Sequence, residues 1–143
     1  MKKIFFLFVF FPFISIAQHD NEMIIVFGSC DNQELPHVMW KPIIANNPDL
    51  WVWMGDIVYM DSEDMEITKE AYDKQKSNSD YKQLIKQTNV IGIWDDHDYG
   101  FNDGGKNWPV KDLKKEVMFD FLMSRKIARE ERIREFIFRM III

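Results

Sequence analysis

The sequence predicts an α/β fold in which parallel strands are joined by helices, and three observations carry that expectation. Three apolar runs of strand character, Met23 to Phe27, Leu50 to Met54 and Val90 to Trp94, are separated by stretches of helical composition. Strand, helix, strand, helix, strand is the plan of a parallel sheet. Each run also ends in a polar cluster rich in metal-ligand side chains: Gly28-Ser29-Cys30, Gly55-Asp56, and Asp95-Asp96-His97-Asp98. Parallel strands present their carboxyl ends on one side of the sheet, where open α/β folds place ligands. A thiol, several carboxylates and an imidazole are therefore expected to meet there, a collection that suits a metal-dependent hydrolase.

The elements follow in chain order. Lys2 and Lys3 precede an apolar run from Ile4 to Ile14, and Ser15-Ile16-Ala17 offers the small residues a signal peptidase accepts. That run is shorter than the roughly 20 residues a membrane span needs. Residues 1 to 17 thus read as a cleaved signal peptide, with an uncleaved anchor as the weaker alternative. The expectation is an exported protein, periplasmic or extracellular, with no stable membrane span after cleavage. The rest of the 143 residues suffices for one domain of ordinary size. After the first strand, Leu35 to Asn46 has helical composition, and Pro36 and Pro42 make that helix short or kinked. Asn47-Pro48-Asp49 reads as a turn into the second strand. Ser62 is expected to cap a helix running to about Gln75, and Ser79 another to about Thr88. The third strand follows directly, and Lys111 to Met123 places Leu113, Val117 and Phe121 at helical spacing.

Charge and cysteine usage narrow the function. Removing Lys2 and Lys3 takes the formal charge from −5 to −7, and the basic excess from Arg125 onward leaves −10 on residues 18 to 124. Such a surface argues against nucleic-acid binding by phosphate neutralisation. It leaves a phosphoester substrate open, because bound cations reverse the field inside a site. The single cysteine, Cys30, has no internal disulfide partner. It is either a small buried apolar residue or a thiolate ligand or nucleophile, and its place after a strand and the flexible pair Gly28-Ser29 favours chemistry.

The later clusters differ in specificity. A Gly-Asp pair is weak evidence alone, although Asp56 can lean toward an ion and the Tyr59 phenol can reach the same ion. Trp51 and Trp53 read as core residues rather than a ligand platform. Asp95, Asp96 and Asp98 around His97 gather three carboxylates and the one side chain that titrates near neutrality. The competing reading is an acidic turn that caps a helix. Gly100, Asn102, Asp103, Gly104 and Gly105 then form a loop that adds amide and carboxylate oxygens.

Taken together, Phe27-Gly28-Ser29-Cys30, then Asn47 to Tyr59, then Trp94 to Gly100 with Asn102-Asp103, resemble the PhoD-like phosphatases, the alkaline phosphatase D family of the metallophosphoesterases. The similarity covers roughly residues 23 to 123. It implies the amino-terminal half of a four-layer α/β/β/α sandwich and a two-metal phosphoesterase acting on phosphomonoesters or phosphodiesters. The implied cofactors are an iron-type ion beside one or more calcium-type ions, with other divalent metals as alternatives. By matching position, Cys30 is a thiolate ligand, Asp56 a bridging carboxylate, Tyr59 a phenolate ligand, and Asp96 a further ligand with Asp95 as neighbouring candidate. His97 contacts the phosphoryl group or protonates the leaving oxygen, and Asn102 contacts substrate.

The resemblance lapses in residues 124 to 143. Family members there carry a proline-containing loop, a basic stretch and an aromatic strand, and their later half supplies further histidine and aspartate ligands. Met123 to Met140 reads instead as a charged helix before three isoleucines. Codons can be chosen for it that, in another frame, encode a string much closer to the family, which makes a frameshift near residue 123 the working expectation. An ordinary amphipathic terminal helix is the alternative. Two function classes stay open: a metallophosphatase, here truncated and with activity in question, or a non-catalytic fragment or metal- or partner-binding module.

Overall fold

The computed structural model describes residues 22–123; the expected signal peptide and the atypical tail lie outside the described residues. The architecture is mixed α/β, with a three-stranded parallel sheet and helices between the strands. In chain order the elements are β1 (Ile25–Gly28), α1 (Trp40–Ala45), β2 (Leu50–Met54), α2 (Met65–Ser77), α3 (Ser79–Gln87), β3 (Asn89–Ile93), α4 (Asp96–Tyr99) and α5 (Lys111–Leu122). The sheet order is β1-β2-β3, with Val26 beside Trp51 and Trp51 beside Val90. All three strands therefore point their carboxyl ends the same way, which is the geometric basis of the site described below.

Strand alternation gives the sheet two unlike faces. Val26, Trp51, Trp53 and Val90 share one face, and there they join a core with Trp40 of α1, Tyr81 and Leu84 of α3, and Phe121 and Leu122 of α5. Trp40 meets Trp51 edge-on at 5.1 Å, Trp51 meets Trp53 edge-on at 5.3 Å, and Tyr81 stacks on Phe121 at 5.6 Å. The Trp53 indole N–H donates to the Tyr81 hydroxyl at 3.1 Å. The strands' other face is also apolar, but Phe27 is 66% exposed and Ile25, Met54 and Ile93 are exposed as well.

Several boundaries differ from the expectation for physical reasons. The first strand begins at Ile25 rather than Met23, because Ile24 is engaged with the turn that leads into β2: its N–H donates to the Asp49 carboxylate and its carbonyl accepts from Asp49 N. The first helix is only Trp40–Ala45. Pro42 is tolerated as its third residue, where an N–H has no intrahelical acceptor. Asp64, not Ser62, caps α2 by accepting from Glu66 N at 2.7 Å, while the Ser62 hydroxyl accepts from Asp64 N just before it. Asn78, not Ser79, caps α3, with its side-chain oxygen accepting from both Asp80 N and Tyr81 N. In each case an Asx oxygen takes the free amides of the first turn.

The buried stripe of α5 also differs. Leu113 is 57% exposed, whereas Lys114 is fully buried, in line with Met118, Phe121 and Leu122. The Lys114 ammonium donates to the Ser62 carbonyl and to the Thr68 hydroxyl, tying α5 to the start of α2. Burial pulls the Lys114 pKa below its usual value, against the pull of Asp64 and Glu63. A polar demand at the loop before α2 thus overrides the apolar period of the helix.

Candidate metal centre

Three turns at the carboxyl ends of the strands build the site. The chain leaves β1 through Cys30 at φ 60, and leaves β2 through Gly55 at φ 93 and Asp56 at φ 52. Left-handed backbone is uncommon for residues with a Cβ and gathers at functional positions. Gly55 has a second constraint: a Cβ there would lie 2.5 Å from Asp95 Cβ. Its missing side chain lets the turn after β2 press against the start of α4. At that start, Asp95 and Asp98 form a reciprocal capping box, with Asp95 Oδ1 accepting from Asp96 N at 2.9 Å and Asp98 Oδ2 accepting from Asp95 N at 3.0 Å.

The four-residue helix α4 divides its carboxylates by direction. Asp98 points inward, where its Oδ1 accepts from Ile57 N at 3.0 Å and from the Tyr72 hydroxyl at 2.9 Å. Burial pushes its pKa up to about 6, although the bonds from Asp95, Tyr72 and Ile57 oppose that shift. Asp96 and His97 face the opening. Backbone donation from Asp103, 2.6 Å from Asp96 Oδ2, and from His97 holds the Asp96 carboxyl below the usual carboxylate range, so it is ionised at neutral pH.

Asp56, Asp96 and His97 each offer a ligand atom, and these atoms lie within 4.8 Å of one another. Two buried polar atoms in this cluster, Asp56 Oδ1 and His97 Nδ1, have no hydrogen-bond partner. Buried polar atoms are almost always paired. A cation beside Asp56 would meet the first deficit and a bound oxyanion the second, so the donor set fits a metal ion with an oxygen ligand of its own. Around the other Asp56 oxygen, the Cys30 thiol lies at 3.5 Å and the Tyr59 hydroxyl donates at 3.1 Å. The Tyr59 ring packs on His97 at 4.2 Å. Burial, then the contacts with Cys30 and Asp56, pushes the Tyr59 phenol above its ordinary pKa. Without a cation it therefore stays protonated and acts as a donor.

Of the residues expected from the sequence, Cys30, Asp56, Tyr59, Asp96 and His97 converge at this place. Asp95 sits at its edge, with its carboxylate engaged as the cap of α4. Asn102 lies on the exposed loop after α4, where its amide donates to Asp103 Oδ2 at 3.0 Å. The helix-capping reading of the acidic run therefore describes Asp95 and Asp98, and the ligand reading suits Asp96. Gln33 escaped the sequence, and Asp103, expected to offer oxygen, plays a different part. Gln33 brackets Tyr59 by accepting from its N–H at 2.8 Å and donating to its carbonyl at 2.7 Å. Asp103 acts through a backbone amide, for which an Asn-Asp-Gly-Gly turn signal is only an indirect sign. Comparison with known proteins assigns no family: no family model, curated protein or solved structure matches the chain.

Proposed function

We propose that the protein is an exported metal-dependent phosphoesterase of the alkaline phosphatase D type, acting on phosphomonoesters or phosphodiesters. In this reading the three-stranded sheet is part of the amino-terminal half of a four-layer sandwich. The observation that carries it is the cluster of Asp56, Asp96 and His97, whose ligand atoms lie within 4.8 Å of one another, with a buried, unpartnered atom on both Asp56 and His97. Asp56, Asp96, Cys30 and Tyr59 would hold the cations. A thiol and a phenol suit an iron-type ion, and carboxylates suit a calcium-type ion. Bound cations supply charge that offsets the phosphoryl oxygens and acidifies a nucleophilic water.

The chain's own residues do the rest. Asp96, ionised and fixed by two backbone amides, offers a carboxylate that needs no rearrangement. As a phenolate ligand Tyr59 would give up its hydroxyl proton to solvent, which would free Asp56 Oδ2 from its present hydrogen bond. His97, packed against the Tyr59 ring, would donate a proton to the departing ester oxygen. Asn102 offers amide hydrogens to a non-bridging oxygen if its loop turns inward. Among the described residues no helix is long and apolar enough to cross a membrane, and export follows from the expected signal peptide.

The test is metal-dependent turnover of p-nitrophenyl phosphate and bis(p-nitrophenyl) phosphate, with metal content measured beside it. The protein is expected to hold at least one ion, to lose turnover on chelation, and to lose ion affinity by at least ~10-fold in Asp56→Asn. Ion binding without turnover would instead support a metal- or partner-binding module, a reading favoured by the exposed apolar residues Phe27, Met54 and Ile93. Neither binding nor turnover rejects both.

A further inference from the structure

Behind the cluster, three polar side chains that the proposed chemistry does not use meet at one carboxylate. Asp31 directly follows Cys30, and its two oxygens lie 2.9 and 2.8 Å from His37 Nδ1. Its Oδ2 also accepts from Gln75 Nε2 at 2.6 Å. His37 stands on the segment before α1, 6 residues on, and Gln75 near the end of α2, 44 residues on, so this carboxylate ties the exit of β1 to its own following loop and to a helix distant in sequence. On the other side, the Asp31 N–H donates to the Asp56 carbonyl at 3.3 Å. One residue is thus bonded to the Asp56 turn through its backbone and to His37 and Gln75 through its side chain.

The neighbours of Asp31 explain why such a strut is needed. Cys30 and Asp56 both carry left-handed backbone, at φ 60 and 52, a region that residues with a Cβ occupy mainly where their surroundings hold them. Cysteine has no intrinsic preference for that region, and the 3.5 Å approach of Cys30 Sγ to Asp56 Oδ2 is made from these two turns. Gln75 adds an independent sign. It is fully buried, and its Oε1 has no partner. A glutamine whose donor is bonded while its acceptor is stranded is placed for what the donor holds. A carboxylate only accepts, so His37 Nδ1 carries hydrogen in this pairing.

We propose that Asp31, clamped between His37 and Gln75, is the positioning residue that holds the Cys30 and Asp56 turns against each other and so fixes the thiol–carboxylate spacing of the centre. The geometric claim stands on the metal-free protein; its consequence for ion binding rests on the metal reading above.

Cys30 is the only cysteine in the chain, so a thiol reagent reports on it alone. It is already exposed, so access does not limit its reaction. The Asp56 carboxylate beside it opposes approach of an anionic reagent such as dithiobis-nitrobenzoate. Loosening the strut separates the two groups. In the metal-free full chain, His37→Phe and Gln75→Leu are expected to label roughly 3–10-fold faster, at unchanged far-UV circular dichroism. His37→Asn, whose amide nitrogen stands where Nδ1 stood and can donate, is expected to return near the parent rate. Rates within about twofold of the parent in folded His37→Phe would overturn the proposal, as would failure of His37→Asn to restore a rate that His37→Phe had raised. The His37 pair decides the matter if Gln75→Leu does not fold.

Cobalt(II) provides the second arm, through its thiolate charge-transfer absorption. The parent is expected to show the band, His37→Phe to lose most of it at equal metal loading, and His37→Asn to regain it. An equal band in His37→Phe counts against the strut. A parent that binds cobalt without the band overturns Cys30 as a ligand, and the labelling arm still judges the strut.

Discussion

The aromatic core and the strand-end turns are built from the same strands yet obey opposite rules. In the core, Trp40, Trp51, Trp53, Tyr81 and Phe121 pack at ring separations of 5.0 to 6.4 Å and all are buried. At the strand ends, Cys30 and Asp56 take left-handed backbone, and Asp56 and His97 each bury an unpartnered atom. β2 contributes to both regions, Trp51 and Trp53 to the first and, just past its end, Asp56 and Tyr59 to the second. The difference teaches that stability is concentrated on one side of the sheet so that strain can be held at its end, a division that functional sites commonly show.

The largest expected effect lies in the core. Trp53→Ala removes a fully buried indole, its packing against Trp40, Trp51 and Tyr81, and its bond to the Tyr81 hydroxyl. A loss of about 3–5 kcal/mol is expected from the denaturant midpoint. Because the three strands position all three turns, the accelerated Cys30 labelling expected of a loosened site should appear as well. A loss under about 1 kcal/mol would break the comparison by showing that the core does not carry the fold.

An intermediate effect tests the residue that joins the regions. Asp98 reaches from α4 into the interior, and burial raises its pKa from the ordinary carboxylate range to about 6. The folded state therefore binds its proton more tightly than the unfolded state. Its contribution to stability is fully present below about pH 4 and is lost as pH rises through about 6. Asp98→Asn abolishes this titration while keeping an oxygen for Ile57 N and Tyr72 Oη. In chelator-treated protein, the destabilisation by Asp98→Asn should be greater at pH 4.5 than at pH 8. The difference should reach at most about 3 kcal/mol. A difference independent of pH would mean that Asp98 is not penalised by its surroundings.

What the sequence revealed divides along the same line. The three strands were legible because their apolar runs are bounded by turn residues, and Leu50–Met54 is matched residue for residue. The ligand-type residues were legible because they follow strand ends. The capping residues were misjudged because Ser62 and Asp64, or Ser79 and Asn78, are near neighbours of similar propensity, and only backbone geometry selects between them. The buried stripe of α5 was misjudged because Lys114 answers a carbonyl at Ser62, a contact 52 residues distant. The role of Gln33 rests on a similar long-range pairing with Tyr59 that leaves no periodic trace. Local pattern reports strands and turn chemistry; it does not report which buried acceptor a distant side chain must satisfy.

The smallest expected effect sharpens the comparison most. Cys30 is exposed and left-handed, so its side chain adds strain and little burial. Glycine accepts φ 60 without that strain, at the expense of a more flexible unfolded chain. Cys30→Gly should therefore stabilise the metal-free protein slightly, by up to about 1 kcal/mol. Asn47 provides the control: it too is left-handed, at φ 48, but it lies in the turn before β2, at the opposite ends of the strands from the centre. Asparagine tolerates that region well, so Asn47→Gly should change stability by less than about 0.5 kcal/mol with or without metal. With cobalt(II) the order at Cys30 should reverse, because binding stabilises more strongly the chain that keeps the full ligand set. If Cys30→Gly remained the more stable protein under saturating metal, strain at Cys30 would be an incidental feature of the turn; reversal would identify it as the counterpart of ion binding.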